Sequence, residues 1–191
     1  MRDLEQDLRN IALAPYIVKA MALIGVSGKA GINSFRHQMY TMSILLDYKI
    51  SDPVLLKASV VHDLFEDALG LPGVSKEVIE RIDFDGPAVY ALVMEVTIRT
   101  ANGAREPKPQ YLTRVLESGS SRARILKVAD RISNVTFLGF VHDLAFVRRY
   151  LDETKTYILP HVKDINPDMF RELSDLIADR EARLRLVDAN V

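Results

Sequence analysis

The chain has 191 residues, of which 48% are hydrophobic and 27% charged, the balance of a single globular domain with a sizeable core. Its net charge of −1 supplies no field to recruit nucleic acid or an anionic membrane, and no apolar run approaches the roughly 18 residues of a membrane span. Cysteine is absent, which excludes disulfides and thiolate metal sites, so any metal must be held by imidazole and carboxylate.

The opening Met-Arg-Asp-Leu-Glu-Gln is too polar for a secretion signal, and a cytoplasmic location is expected. Apolar spacing predicts helices over 3–13 and 15–26, separated at Pro15. Gly25, Gly28 and Gly31 then punctuate a loop that holds Ser27 and Lys29. Ser34 is a candidate cap for a helix over 35–48, which carries His37 in its first turn and buries Met42, Leu45 and Leu46. Ser51 or Asp52 caps the next helix, with Pro53 in its first turn.

That helix holds the densest chemistry in the chain, His62-Asp63-Leu64-Phe65-Glu66-Asp67. On one continuous helix, His62 and Glu66, Asp63 and Glu66, and Asp63 and Asp67 share a face. Three carboxylates and an imidazole on one side repel each other and resist burial unless water or a cation compensates them. An exposed acidic face is the plain reading, but Val60, Val61, Leu64 and Phe65 make the segment partly buried, with its polar groups turned into a cleft. Imidazole beside carboxylate suits manganese, iron or zinc in an open site. Such a site needs further ligands from elsewhere in the chain.

Downstream, Gly70, Pro72 and Gly73 end the helix, and Ser75-Lys76-Glu77 starts another through Arg81. Residues 86–97 form an apolar helix, and Arg99–Pro109 reads as a mobile loop. A short helix over 110–117 precedes a strongly periodic one over 122–138, started by Ser120 or Ser121 and ended by Gly139. Asp143 caps a helix from 144 to about 158, ended by Pro160, and 167–186 form the last, charged on its outer side. No segment shows strand alternation. The prediction is all-α, one domain spanning 1–191 with about ten helices.

Asp130 interrupts Ile125-Leu126-Lys127-Val128-Ala129, an otherwise buried run, and a buried carboxylate needs a partner. A salt bridge with Arg131 or another basic neighbour would suffice. Asn134, four residues on, shares its face, so a carboxylate and an amide address one cavity. His37, read alone, is an ordinary surface histidine. His142-Asp143-Leu144 repeats the letters of His62-Asp63-Leu64, but no acidic pair follows, and Asp143 serves as a helix cap.

Three passages carry a family resemblance: LLKASVVHDLFEDA (55–68), ILKVADRISNV (125–135), and LVMEVTIRT (92–100) between them. Together with His37 upstream, they resemble the HD phosphohydrolase superfamily. Within it, they are similar to the hydrolase domain of the RelA/SpoT family and its small stand-alone relatives, over roughly 10–160. The resemblance implies an all-helical HD bundle and one divalent metal, manganese, on His37, His62, Asp63 and Asp130. It implies that Glu66 and Asp67 position and activate the attacking water. Lys29, Asn134, Tyr150 and Thr154 match residues that contact substrate, and Lys29, Arg99, Arg105 or Lys108 could meet a further phosphate. The implied reaction is hydrolysis of the 3′-diphosphate of ppGpp to GDP and pyrophosphate, with a small nucleotide as partner and no nucleic acid or membrane. Gly28 stands where the family has arginine, and Gln38 where it has proline. These departures leave two alternatives: an HD phosphohydrolase for another nucleotide or phosphate ester, and a regulatory module that binds metal or nucleotide without turnover.

Overall fold

Helices account for nearly all of the computed structural model, which describes residues 4–27, 33–68, 70–71 and 73–189. The first two, α1 (Leu4–Arg9) and α2 (Ala14–Ala20), are shorter than the apolar stripes predict. Pro15 lies in the first turn of α2, where its missing N–H costs nothing, and α2 passes into a 3₁₀ turn at Met21–Leu23. The next helix, α3 (Ser34–Asp47), is capped by Asn33, whose side chain accepts from the Arg36 amide at 3.2 Å. Ser34 is therefore not the cap, and its hydroxyl is used elsewhere.

The central helix is α4 (Pro53–Val61), capped by Asp52 through the Leu55 amide at 2.9 Å. Every residue from Val54 to Val61 is buried, so α4 needs apolar neighbours on all sides and finds them in α2, α3 and two later helices. It does not run on through Asp67 as the spacing predicts. The chain turns at His62 and Asp63 and resumes as a single turn, α5 (Leu64–Asp67). The Ser59 carbonyl, an acceptor of the last turn of α4, is engaged at 2.8 Å by Nδ1 of His62. The Asp63 carbonyl then accepts from the Glu66 and Asp67 amides at 3.0 and 2.8 Å, which starts the new turn.

Ser75 caps α6 (Lys76–Glu80), and α7 (Gly86–Val96) follows. The predicted mobile loop is instead a small antiparallel hairpin, β1 (Thr100–Ala101) against β2 (Ala104–Arg105), with Thr100 opposite Arg105. Asn102 and Gly103 both take positive φ, 51° and 75°, as a two-residue hairpin turn requires. Its base is pinned by Glu106, whose carboxylate receives Nε and NH2 of Arg114 at 2.8 Å each.

Behind it come α8 (Lys108–Ser118) and α9 (Ser121–Phe137), the latter capped by Ser120. Asp143 caps α10 (Leu144–Glu153), accepting from the Phe146 amide at 2.9 Å. Pro160 does not end this arm. A π-helical stretch, Thr154–Ile158, widens the coil ahead of α11 (Leu159–Ile165), so that Pro160 falls in the first turn of α11. The last helix is α12 (Pro167–Asp188), capped by Asn166. No helix of the described residues is long and apolar enough to cross a membrane.

α9 packs on α3, α4, α7, α8 and α12, so α4 and α9 together form the spine of an all-α bundle. Leu55, Val60, Val93, Leu126 and Val128 share its single core. Among its buried charged groups is Lys57, whose Nζ lies 2.7 Å from Asp83 and 2.6 Å from Asp85, and the Tyr16 hydroxyl donates to Asp83 at 2.8 Å. Replacing Lys57 by alanine strands two carboxylates. The expected loss is about 2–3 kcal/mol, less than for a fully enclosed pair because the carboxylates are about a quarter exposed. A urea unfolding midpoint unchanged from the parent would contradict this.

Candidate metal and substrate site

His37 comes from the first turn of α3, His62 and Asp63 from the turn after α4, and Asp130 from the middle of α9. The packing of α3 and α9 against α4 brings them together. Nε2 of His37 lies 3.1 Å and Nε2 of His62 3.7 Å from Oδ1 of Asp130. Oδ2 of Asp63 lies 3.4 Å from each imidazole Nε2. One ligand atom each from the buried His37, His62 and Asp130 falls within 4.8 Å of the others, so this group can hold a metal ion.

The surrounding contacts aim these atoms inward. Nδ1 of His37 is 2.8 Å from the Ser133 hydroxyl, and Nδ1 of His62 is 2.8 Å from the Ser59 carbonyl. A carbonyl only accepts, so Nδ1 of His62 carries the proton and Nε2 is left to the site. That Nε2 is buried and makes no hydrogen bond among the described residues. A buried nitrogen facing carboxylates with no donor of its own fits a divalent ion. Burial pulls the His62 imidazole down, but Asp63 and Asp130 outweigh it and raise it to about 9. A proton there neutralises the acidic cluster as a metal would, so metal binding should release protons.

Asp130 does not pair with Arg131. Nζ of Lys127 sits 2.5 Å from its Oδ2, and Nδ2 of Asn134 donates to its Oδ1 at 2.6 Å. Burial pushes the Asp130 carboxyl up, yet the Lys127 ammonium and the two histidines hold it well below the usual carboxylate range. Arg131, fully buried, turns away to Glu153 at 2.8 Å and stacks on the Tyr150 ring at 4.2 Å.

Glu66 and Asp67 line the same cavity as the three-residue group, with Asn134 and Tyr150 on its wall. Glu66 accepts from the Ile98 amide at 3.0 Å and from Arg105 at 2.9 Å, and Asp67 accepts from the Ser34 hydroxyl at 3.2 Å. The enclosed part of the cavity measures about 90 Å³, room for an ion with a few waters or a phosphoryl group. Thr154 does not reach the cavity. It is fully buried, and its hydroxyl accepts from Arg131 at 3.1 Å, so it touches the site only through the Arg131–Tyr150 stack. Lys29 lies outside the described residues.

Sequence reading passed over Tyr111, Lys127 and Ser133. Lys127 and Ser133 flank Asp130 at three residues on either side, a helical spacing that could have exposed them. Tyr111 gives no such signal. Its ring is fixed by a hydrogen bond from its hydroxyl to the Val96 carbonyl at 2.5 Å, and it carries the ammonium groups of Lys108 and Lys127, each 5.0 Å from its centre.

No family model and no curated protein matches the sequence. Among solved structures, the chain is similar to a metazoan ortholog of SpoT that hydrolyses ppGpp and plays a role in starvation responses. The TM-score is 0.70 at 21% identity, over 90% of this chain and 98% of that one. The fold of this chain is thus the all-helical bundle of that SpoT ortholog, with His37, His62 and Asp130 gathered in its interior where they can hold a metal.

Proposed function

We propose that the chain, acting as one domain, is a divalent-metal-dependent phosphohydrolase that removes the 3′-diphosphate of ppGpp to give GDP and pyrophosphate. One observation carries this reading: a buried histidine–aspartate group and an adjacent Glu66–Asp67 pair line one cavity, in the fold of a protein that hydrolyses ppGpp. His37, His62, Asp63 and Asp130 would hold the ion; the mixture of imidazole and carboxylate suits manganese, iron or zinc, and the family resemblance points to manganese. When bound, the ion polarises a phosphoryl oxygen and lowers the pKa of water. Glu66 and Asp67 orient the attacking water and take its proton. The new bond joins water oxygen to the phosphorus on the 3′-oxygen, the bond to that oxygen breaks, and a proton returns to it. Asn134 and Tyr150 bound the substrate side, and Thr154 acts by holding Arg131 beneath Tyr150.

Lys108 lines the cavity and makes no ion pair among the described residues. It is the cation best placed for the second phosphate. Burial, with Lys127 and Arg131 nearby, pulls its ammonium down to about 8. Lys108 is therefore charged below that pH and neutral above it. KM is expected to rise as pH passes through about 8, and Lys108→Met should raise KM about tenfold at pH 7 while flattening that limb. A pH-independent KM in the parent would remove Lys108 from substrate binding.

The decisive experiment is incubation of ppGpp with the protein and Mn²⁺, with an EDTA arm, the products being resolved by ion exchange. GDP and pyrophosphate formed only with metal support the reading. Intact ppGpp with folded, manganese-loaded protein sinks it. The departures at Gly28 and Gln38 would then favour another nucleotide or phosphate ester, found with a nucleotide panel. A regulatory module without turnover is the weaker reading, because a metal holder has no need of both Glu66 and Asp67.

A further inference from the structure

Each candidate ligand is held from behind by a second group, and the holders differ in kind. His37 has the Ser133 hydroxyl, His62 the Ser59 carbonyl, and Asp130 both Lys127 and Asn134. Asp63 is the weak point of the set. It sits in the break between α4 and α5, and its side chain is a quarter exposed, against less than a tenth for the other three. One side chain donates to its carboxylate among the described residues: Gln38, whose Nε2 lies 2.9 Å from Oδ2. That Oδ2 is the oxygen facing both imidazoles.

Gln38 is fully buried on α3, next to His37. A carboxylate only accepts, so the amide nitrogen of Gln38 must face Asp63, and its carbonyl is turned the other way. There, Oε1 is buried and has no hydrogen-bond partner among the described residues. A buried, unsatisfied carbonyl lowers stability, and an apolar side chain of the same shape would avoid that loss. Packing alone therefore argues against glutamine at this position. What the glutamine supplies is a single N–H on the one candidate ligand that no other side chain supports.

We infer that Gln38 is a positioning residue for the metal, which fixes the Asp63 carboxylate for coordination at the expense of stability in the metal-free protein. The inference rests on the proposed metal site but not on the substrate. Partners of this kind typically change metal affinity by about 10–100-fold.

The test compares the 191-residue parent with Gln38→Met, a near-isostere without the amide, in two measurements. Mn²⁺ affinity is read by competition with a chelator, and thermal unfolding is followed in EDTA. The expected result is an affinity about 10–100-fold weaker, with a metal-free Tm equal to the parent or a few degrees higher. Affinity within twofold of the parent overturns the inference, whatever happens to Tm. A lowered Tm with unchanged affinity would make Gln38 a packing residue. Gln38→Leu carries the same comparison if the methionine variant does not fold. A cycle with Asp63→Asn separates direct from indirect action. Because Gln38 works through Asp63, the two losses of affinity should not multiply, and fully multiplicative losses would also overturn it. A parent that binds no Mn²⁺ would remove the metal reading and this inference with it. A parent that binds Mn²⁺ but leaves ppGpp intact would touch only the proposed substrate.

Discussion

Alanine at Asp130 is expected to abolish metal binding and hydrolysis and to destabilise the metal-free protein as well. Asp130 is the carboxylate on which both imidazoles converge, at 3.1 and 3.7 Å, so its loss removes the centre of the ligand group. It is also the counter-charge of Lys127, whose ammonium is 2.5 Å away and almost wholly buried. Removing one member of a buried pair leaves the other uncompensated, at a cost of about 3–5 kcal/mol. The low carboxyl of Asp130 fixes the sign with pH. Its contribution is present above the ordinary carboxylate range and is lost only as pH falls through its depressed native value. At pH 7 the full loss should therefore be seen, as a Tm about 6–20 °C lower. Asp130→Ala together with Lys127→Met removes both charges and should recover much of that stability without restoring the metal. If the double variant is no more stable than Asp130→Ala alone, the ion pair is not the source of the loss.

Glu66→Gln combined with Asp67→Asn should separate binding from chemistry. Neither residue is among the four assigned to the ion, His37, His62, Asp63 and Asp130, so Mn²⁺ affinity should stay within a few-fold. The fold should survive, since the glutamine carbonyl can still accept from the Ile98 amide. The ion pair lost with Arg105 is half exposed on the arginine side and worth under about 1 kcal/mol. Hydrolysis should fall about 10²–10⁴-fold, the usual contribution of a general base. Single-turnover rates in the two single variants divide the role between the carboxylates. Parental rates in the double variant would remove both from water activation and leave their contacts with Arg105 and Ser34 as their role.

Much of the helical plan is written in short-range chemistry. Asp52, Ser75, Ser120 and Asp143 start helices because a side-chain oxygen reaches the amide three residues ahead, a signal complete within one turn. Apolar periodicity likewise announces α7 and α9. Of the residues gathered in the cavity, His62, Asp63, Glu66, Asp67, Asp130 and Asn134 stand out by type and spacing, as does the capping role of Asp143, whereas His37 and Tyr150 enter only through the family resemblance and Tyr111 gives no signal.

Tertiary packing decided the rest. The break at His62–Asp63 follows from an imidazole that bonds the Ser59 carbonyl while its other nitrogen faces α9, and helix propensity contains neither fact. Asp130 had basic neighbours one and three residues away, and only the direction of each side chain in the bundle gave it Lys127 and sent Arg131 to Tyr150 and Glu153. Thr154, one helical turn from Tyr150, faces the core rather than the cavity because a π-helical stretch begins there and the coil shifts phase. The hairpin at Thr100–Arg105 exists because Glu106 and Arg114 clamp its base, a pairing across two elements. Caps and periodicity depend on neighbours in sequence. Partner choice for a buried polar group depends on which competing donors and acceptors the packed core brings within 3 Å, and that is set by the whole chain at once.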